Sequence, residues 1–210
     1  MKTLAFVHGW GFDAHFWRPV ADRLPEFARI FVDLGFRAEA VRPGANTPII
    51  IGHSMGFAWA LAGFPRPWAG AVAVNAFPRF TRAQDFVAGT PPRSLDRMIE
   101  RFATHPHEVT ADFMQRCGID APDTETIRPA PMAEALKWLA ECDERQSMAQ
   151  LDCPLLALAG TRDLVVPEAM SRDSFPPQCL TLVEGAGHLL PWTHPDWVAS
   201  QIRLFASTIP

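Results

Sequence analysis

Short apolar runs alternate with amphipathic stretches along most of this chain. The apolar runs predict strands at Thr3–Val7, Arg29–Val32, Pro48–Ile51, Ala71–Val74, Pro154–Ala159 and Leu180–Val183. The stretches between them predict helices at Phe16–Leu24, Ser54–Gly63 and Trp192–Phe205. Because strands that alternate with helices are typical of βαβ units, the expected fold class is α/β. We expect a mainly parallel sheet of these six strands, flanked by helices.

The segment 77–148 interrupts this alternation. It contains two helical patterns, Ser94–Phe102 and Pro131–Ala140, separated by a stretch with many prolines and acidic residues. We therefore expect a helical cap insertion at 77–148 within a core formed by 1–76 and 149–210. Ligands of open α/β sheets bind beyond the carboxyl ends of the strands. An insertion that leaves from such an end is expected to form a roof over the site.

Composition excludes several functional classes. The chain has 210 residues, 48% of them hydrophobic, and a net charge of -4, which fits one domain and lacks the basic excess of a nucleic-acid binder. No apolar run approaches the roughly 18 residues that span a membrane. The first residues lack a signal-peptide cleavage site, and the four cysteines form no CxxC pair. We expect a cytoplasmic protein with reduced thiols and no metal site, in an oligomeric state that the sequence leaves open.

The strongest chemical signal is a G-x-S-x-G motif centred on Ser54, between an apolar strand and a helix. In that setting the serine occupies a tight, strained turn that exposes its Oγ. The glycines at 52 and 56 are expected because a Cβ at either position would clash with a neighbouring strand or helix. The motif predicts Ser54 as a catalytic nucleophile.

A serine nucleophile needs a base, and the base needs an orienting acid. His188 follows a predicted strand in the sequence Gly-Ala-Gly-His, and Asp163 ends the glycine turn after the strand at 154–159. These two residues are the predicted base and acid. The competing residues are His105, His107, His194, Asp152 and Asp173, with Asp173 the nearest competitor of Asp163. Asp33 is expected to have a structural role.

The negative oxygen that forms during attack on a carbonyl needs two backbone donors. The N–H of Met55, directly after the nucleophile, is the first candidate. The second is the N–H of Trp10, in the His-Gly-Trp-Gly loop that follows the first strand. The Trp10 indole is also expected to form a wall of the acyl site.

Together these motifs resemble the α/β-hydrolase superfamily over nearly the whole chain. The matching segments are H-G-W-G, D-L-G-F, G-H-S-M-G, G-T-R-D-x-x-V-P and G-A-G-H. The chain departs from the family because two strands that usually precede the H-G-W-G loop look absent, and because D-L-G-F lacks a common proline. The resemblance therefore implies a minimal core of six strands with one uncovered sheet edge.

Within the superfamily the chain looks most like the carboxylesterases of biotin synthesis that demethylate pimeloyl-[acyl-carrier protein] methyl ester. The similar segments are Gly-Trp-Gly at 9–11, Ile-Glu-Arg-Phe at 99–102 and Asp-Glu-Arg-Gln at 143–146. This resemblance implies a substrate-binding role for Trp10, Met55 and Phe102, and contact of Arg97 and Arg101 with the carrier protein. It implies no metal or organic cofactor.

Three arginines support a carrier-protein partner independently. Arg93, Arg97 and Arg101 are spaced by four, so on a helix they form one basic stripe. Acyl carrier proteins are acidic, and such a stripe could steer one to the site. The alternative is an ordinary solvated helix face, on which Asp96 and Glu100 dilute the charge.

The predicted function is that of a serine carboxylesterase acting on a short alkyl ester, such as a methyl ester, of a carrier-bound acyl chain. A general carboxylesterase, a thioesterase or a C–C bond hydrolase could use the same three residues, since the roof decides the leaving group. A receptor that has kept the pocket without catalysis is the alternative from another class. The intact set of Ser, His and Asp disfavours it.

Overall fold

Six parallel strands form the central sheet in a computed structural model that describes residues 1–210. The strands are β1 (Thr3–Val7), β2 (Ala28–Val32), β3 (Ile49–His53), β4 (Gly70–Val74), β5 (Leu155–Gly160) and β6 (Leu180–Val183). Their order across the sheet is β2-β1-β3-β4-β5-β6, and every neighbouring pair is parallel. The predicted α/β class with six strands is confirmed. Strands β1, β3 and β4 are almost wholly buried, which explains their nearly continuous apolar sequences.

The helices pack on both faces and over one end of this sheet. They are α1 (Arg18–Ala21), α2 (Met55–Gly63), α3 (Pro92–Thr104), α4 (Pro106–Cys117), α5 (Pro129–Glu141), α6 (Arg145–Ala149), α7 (Glu168–Ser174), α8 (Leu190–Thr193) and α9 (Pro195–Thr208), with a 3₁₀ turn at Ala14–Trp17 before α1. None of these helices is long and apolar enough to span a membrane.

Two of the predicted helices are broken in the structure. The helix predicted at Phe16–Leu24 is a 3₁₀ turn followed by the four residues of α1. After Ala21 the backbone bonds run to the third residue back, as in Leu24 N–H to Ala21 C=O, which tightens the chain before a proline. The helix predicted at Trp192–Phe205 is divided between α8 and α9. Pro195 begins α9, and it forces the preceding His194 out of helical geometry (φ −133°, ψ 48°).

Four helices lie between β4 and β5, in the segment predicted as an insertion. The predicted helices Ser94–Phe102 and Pro131–Ala140 are present as the slightly longer α3 and α5, whereas α4 and α6 had not been predicted. Helix α4 had a usable signal in the sequence, since it begins at Pro106 and ends before Gly118, whose φ of 103° only glycine adopts readily. The exact division into core and cap stays a prediction.

One hydrophobic core holds the sheet and these helices together. Its cluster of 55 buried residues includes β-strand residues as well as Leu95 of α3, Val109 of α4 and Leu136 of α5. Because the same core continues from the sheet into these helices, they are fixed over the carboxyl ends of the strands rather than loosely attached.

Candidate active site

Ser54 stands in a strained turn between β3 and α2. Its backbone has φ 53° and ψ −129°, a conformation that non-glycine residues rarely adopt and that costs roughly 1–3 kcal/mol. A Cβ on Gly52 would overlap the backbone of Phe57 in α2, and a Cβ on Gly56 would overlap the carbonyl of His8 after β1. The expectation that both glycines are needed for close packing around the serine is therefore confirmed.

Asp163 and His188 form a buried pair at the ends of β5 and β6. His188 Nδ1 lies 2.8 Å from Asp163 Oδ2, and both side chains are completely shielded from solvent. The other carboxylate oxygen, Oδ1, accepts the N–H groups of Val165 and Val166, each at 2.8 Å. Because a carboxylate only accepts hydrogen bonds, this contact assigns the proton of the neutral imidazole to Nδ1. Nε2 is left with its lone pair free.

The free Nε2 of His188 is buried and has no hydrogen-bond partner. The His188 ring lies beside that of His53, the residue directly before Ser54, with 4.7 Å between ring centroids. His53 Nε2 also donates to the His188 carbonyl at 3.0 Å. Burial lowers the pKa of His53 well below its usual value, so its ring stays neutral. The structure thus joins the predicted base and acid directly and places His188 against His53, the neighbour of the predicted nucleophile, while no hydrogen bond links Ser54 Oγ to His188 Nε2.

Both predicted oxyanion donors are unpaired. The Trp10 N–H donates no hydrogen bond within the chain, and the Met55 N–H begins α2, where no helical acceptor exists. The Trp10 indole N–H donates to the carbonyl of Met132 in α5 at 2.9 Å. This last bond, which sequence reasoning missed, ties the loop after β1 to the helices above it.

A narrow cavity of about 70 Å³ lies over Ser54. It is mainly hydrophobic, and its walls are formed by Trp10, Ser54, Met55, Phe77, Phe80, Thr90, Ser94, Leu95, Met98, Phe113, Arg116, Leu136, Leu139 and Val165. Trp10 and Met55 line it as the sequence suggested. Phe102 does not: its ring packs against the Trp10 indole at 5.6 Å from behind, so it supports the wall instead of forming it.

Asn75 is a site residue that sequence reasoning missed. It follows β4 with a φ of 48°, and its Nδ2 donates to Asp163 Oδ2 at 2.9 Å and to the Gly187 carbonyl at 3.1 Å. The amide therefore joins the acid to the loop that carries His188. The only sequence signal for this role is that the apolar run of a buried strand is followed by asparagine, a residue that tolerates positive φ.

A second buried histidine–aspartate pair lies under the loop after β1. His8 Nδ1 donates to the Gly9 carbonyl at 2.8 Å, and His8 Nε2 accepts the Leu34 N–H at 2.9 Å. Asp33 accepts the N–H groups of Gly35 and Ala14. Burial raises the pKa of Asp33, but the hydrogen bonds that its carboxylate accepts outweigh burial and hold the pKa at about 2.

The competing residues lie elsewhere. Asp173 is in α7, where its carboxylate faces the N–H of Ala88 at 3.5 Å. His194 binds the Thr193 hydroxyl at the start of α9, and His105 binds that of Thr104. His107 contacts the Thr124 carbonyl, and Asp152 precedes β5. No group of three or more His, Cys, Asp or Glu side chains is arranged to hold a metal ion.

The three arginines predicted for carrier docking all lie on exposed positions of α3. Arg97 and Arg101 line a groove between α3 and α4, whereas Arg93 does not. Arg101 is paired with Glu108 and Asp112, which reduces its free charge. Arg116 of α4, which had not been predicted, lines both this groove and the cavity over Ser54. Ser94, Met98 and Phe113 also line both, so the groove leads into the cavity.

Known proteins resemble this chain in both sequence and fold, although no family model matches it. It is 26% identical over 243 aligned positions to the biotin biosynthesis bifunctional protein BioHC of Cellvibrio japonicus. That alignment covers 99% of this chain and 48% of the relative, so the chain spans about half of the relative's length. It is 25% identical over 244 positions to the pimeloyl-[acyl-carrier protein] methyl ester esterase of Neisseria meningitidis, covering 100% of this chain and 95% of the relative.

A solved structure gives the same picture of the fold. The bromoperoxidase from Bacillus anthracis superposes with a TM-score of 0.81 at 16% identity, covering 98% of this chain and 92% of that one. The fold of this chain is thus the α/β-hydrolase fold, and the resemblance inferred from the sequence motifs is confirmed.

Proposed function

We propose that this chain is a serine carboxylesterase that hydrolyses a short alkyl ester of an acyl chain, with pimeloyl-[acyl-carrier protein] methyl ester as its substrate. One observation carries the proposal: the buried His188 has a free Nε2 and lies against His53, directly before the strained Ser54 turn, while Asp163 holds its other nitrogen. Similarity along the whole chain to a pimeloyl-[acyl-carrier protein] methyl ester esterase supports the choice of substrate.

In the first half of the proposed reaction, Ser54 Oγ attacks the ester carbonyl carbon and its proton passes to His188 Nε2. The carbonyl electron pair moves to oxygen, and the resulting anion accepts hydrogen bonds from the N–H groups of Trp10 and Met55. The intermediate then collapses and breaks the bond to the alkoxy oxygen. The alcohol leaves with the proton of His188, and the acyl group stays on Ser54.

In the second half, a water molecule gives a proton to His188 Nε2 and attacks the acyl-enzyme. Collapse of this intermediate breaks the bond to Ser54 Oγ, which takes the proton back, and the carboxylic acid is released. Asp163 stabilises the imidazolium in both halves and keeps Nδ1 protonated throughout. Residues 77–148 act as the cap that encloses the acyl chain in the hydrophobic cavity.

The carrier protein would approach along the groove between α3 and α4. This groove leads into the cavity and presents Arg97 and Arg116, while Arg101 is already engaged with two carboxylates. An acidic carrier would be attracted to these charges, and its prosthetic arm would run along the groove toward Ser54. Arg93 lies on the same helix but outside the groove, so the docking site includes Arg116 in its place.

The proposal is tested by measuring steady-state hydrolysis of pimeloyl-[acyl-carrier protein] methyl ester and of p-nitrophenyl esters by wild-type protein and Ser54→Ala. We expect the variant to fold normally and to lose activity by at least about a thousandfold. Comparable activity in Ser54→Ala would mean a different nucleophile. Activity on small esters alone would favour a general esterase, and failure of a fluorophosphonate to label Ser54 would favour a non-catalytic receptor.

Carrier docking is tested by reversing the groove charges in Arg97→Glu and Arg116→Glu, with Arg18→Glu in the distant α1 as the matched control. We expect KM for the carrier-bound ester to rise several-fold to about tenfold in the groove variants, and little change for a small ester. The control should resemble the wild type with both substrates. Equal losses with both substrates would remove the docking site from the proposal.

A further inference from the structure

A second, larger space adjoins the cavity on its other side. It is an open groove of about 590 Å³ between α2, α5 and the segment after β2. Its apolar lining residues include Phe36, Trp59, Ala135 and Trp138, and Arg42, Arg128 and Glu134 also border it. One side chain lines both this groove and the cavity over Ser54, and that is Met55. We call this space the aromatic groove.

Helix α5 and Met55 together form the partition between the two spaces. Leu136 and Leu139 of α5 face the cavity, whereas Ala135 and Trp138 face the aromatic groove. The backbone of Met55 is fixed at the start of α2, and its side chain is 2% exposed. An unbranched thioether fills an irregular gap without strong shape constraints. Its side chain is thus the replaceable part of this wall.

The cavity opens into the groove between α3 and α4 and is closed by Met55 toward the aromatic groove, and this assigns a part of the substrate to each side. Under the proposed function, the acyl chain must reach the carrier through the groove between α3 and α4, which shares Ser94, Met98, Phe113 and Arg116 with the cavity. The carbonyl carbon bound at Ser54 has one other carbon-bearing substituent, the alkoxy group. With the acyl chain toward α3 and α4, the alkoxy group faces the opposite wall, where Met55 stands.

We infer that the side chain of Met55 determines which alcohols the enzyme can release, because it closes the alkoxy site against the aromatic groove. The inference rests on the proposed function. A methoxy group fits in front of Met55, whereas a longer alkoxy chain would have to pass into the aromatic groove. Removing the side chain would connect the two spaces, and each added methylene that enters the apolar groove should favour binding by roughly fourfold.

The test uses two ester series with wild-type protein and Met55→Ala. In the first series, methyl, propyl and hexyl hexanoate vary only the alcohol; in the second, methyl esters of longer acids vary only the acyl chain. The readout is the ratio of kcat/KM for hexyl and methyl hexanoate within each variant. In Met55→Ala we expect this ratio to rise by at least about tenfold, while the acyl-chain profile keeps its shape.

Two further variants distinguish an opening between the cavity and the aromatic groove from a general loss of packing in the site. Met55→Leu conserves the volume and should keep the wild-type ratio. Met55→Ala combined with Ala135→Trp, which narrows the aromatic groove, should bring the ratio back toward the wild-type value. Circular dichroism and a thermal melt confirm that each variant is folded.

The outcomes separate the inference from the proposed function. A folded, active Met55→Ala with an unchanged alcohol ratio would overturn the inference alone. A change confined to the acyl-chain series would also overturn it, because it would place the aromatic groove on the acyl side. A double variant that keeps the raised alcohol ratio would overturn it as well. Wild-type protein that hydrolyses none of these esters, nor the carrier-bound ester, would reject the proposed function and the inference with it.

Discussion

Two buried histidine–aspartate pairs lie near the carboxyl ends of the strands, and they differ in one respect that matters for catalysis. In the pair His8–Asp33, both ring nitrogens are occupied, one by the Gly9 carbonyl and one by the Leu34 N–H. In the pair His188–Asp163, Asp163 occupies Nδ1 and nothing occupies Nε2. The residue types are the same, but only the second ring has a lone pair free to accept a proton.

The difference shows how hydrogen bonding decides the role of a buried imidazole. An unpaired buried polar atom costs roughly 1–3 kcal/mol. Six buried side-chain atoms of this chain have no partner, and His188 Nε2 is the one whose ring is also held by a buried carboxylate. His8 is satisfied and holds the Trp10 loop against the segment after β2, with Asp33 accepting N–H groups from both neighbouring turns. We expect the His8 pair to stabilise the fold and the His188 pair to support catalysis.

The largest effect that would test this comparison is expected for Asp163→Asn. The asparagine amide would donate to His188 Nδ1 and move the ring proton to Nε2, where it blocks proton transfer from Ser54. We expect kcat to fall by about a thousandfold or more. The matched control is Asp33→Asn, which should lose far less activity. Similar activity losses, measured on folded protein with the same ester, would contradict the separation of the two pairs.

The second effect concerns stability and its dependence on pH. Because the pKa of Asp33 is about 2 in the folded protein and about 3.9 in an unfolded chain, the carboxylate contributes about 2–3 kcal/mol to the free energy of unfolding. That contribution is complete above pH ~4 and is lost as the pH falls through about 2. Urea unfolding of wild-type protein and Asp33→Asn should therefore differ most at neutral pH and converge in acid. A difference that does not vary with pH would show that the ionised form is not what stabilises the fold.

The smallest effect is expected for Asn75→Ala, which removes the amide that joins Asp163 to the Gly187 carbonyl. Loss of these two positioning bonds should lower kcat by about tenfold with little change in KM. Asn75→Ser, which can still donate one hydrogen bond, should recover part of the loss. The pH dependence of kcat should shift in Asn75→Ala as well, because Asp163 loses a donor. An unchanged kcat and pH profile would leave Asn75 with a purely structural role.

Much of the site could be predicted because its motifs are local. The sequence around Ser54 contains the strand, the turn and the helix that create the strained geometry, so the nucleophile and the need for Gly52 and Gly56 followed from one short segment. The strands were predicted almost to their ends, since buried parallel strands are marked by continuous apolar runs. Helix boundaries were harder to predict at prolines, because a proline can end one helix and begin the next, as Pro106 and Pro195 do.

The sequence by itself determined the α/β class, the strands, the strained turn at Ser54 and the residues that could complete its site. Only the tertiary structure decided that His188 keeps a free nitrogen while Asp163 holds the other, and which amide holds Asp163. It also decided that Met55 divides two spaces and that Phe102 packs against Trp10. The physical reason is the distance along the chain over which each interaction acts. Turn geometry depends on residues a few positions apart, whereas the bonds of His188 to His53 and of Trp10 to Met132 join residues 135 and 122 positions apart. Contacts of that separation arise only once the core has packed.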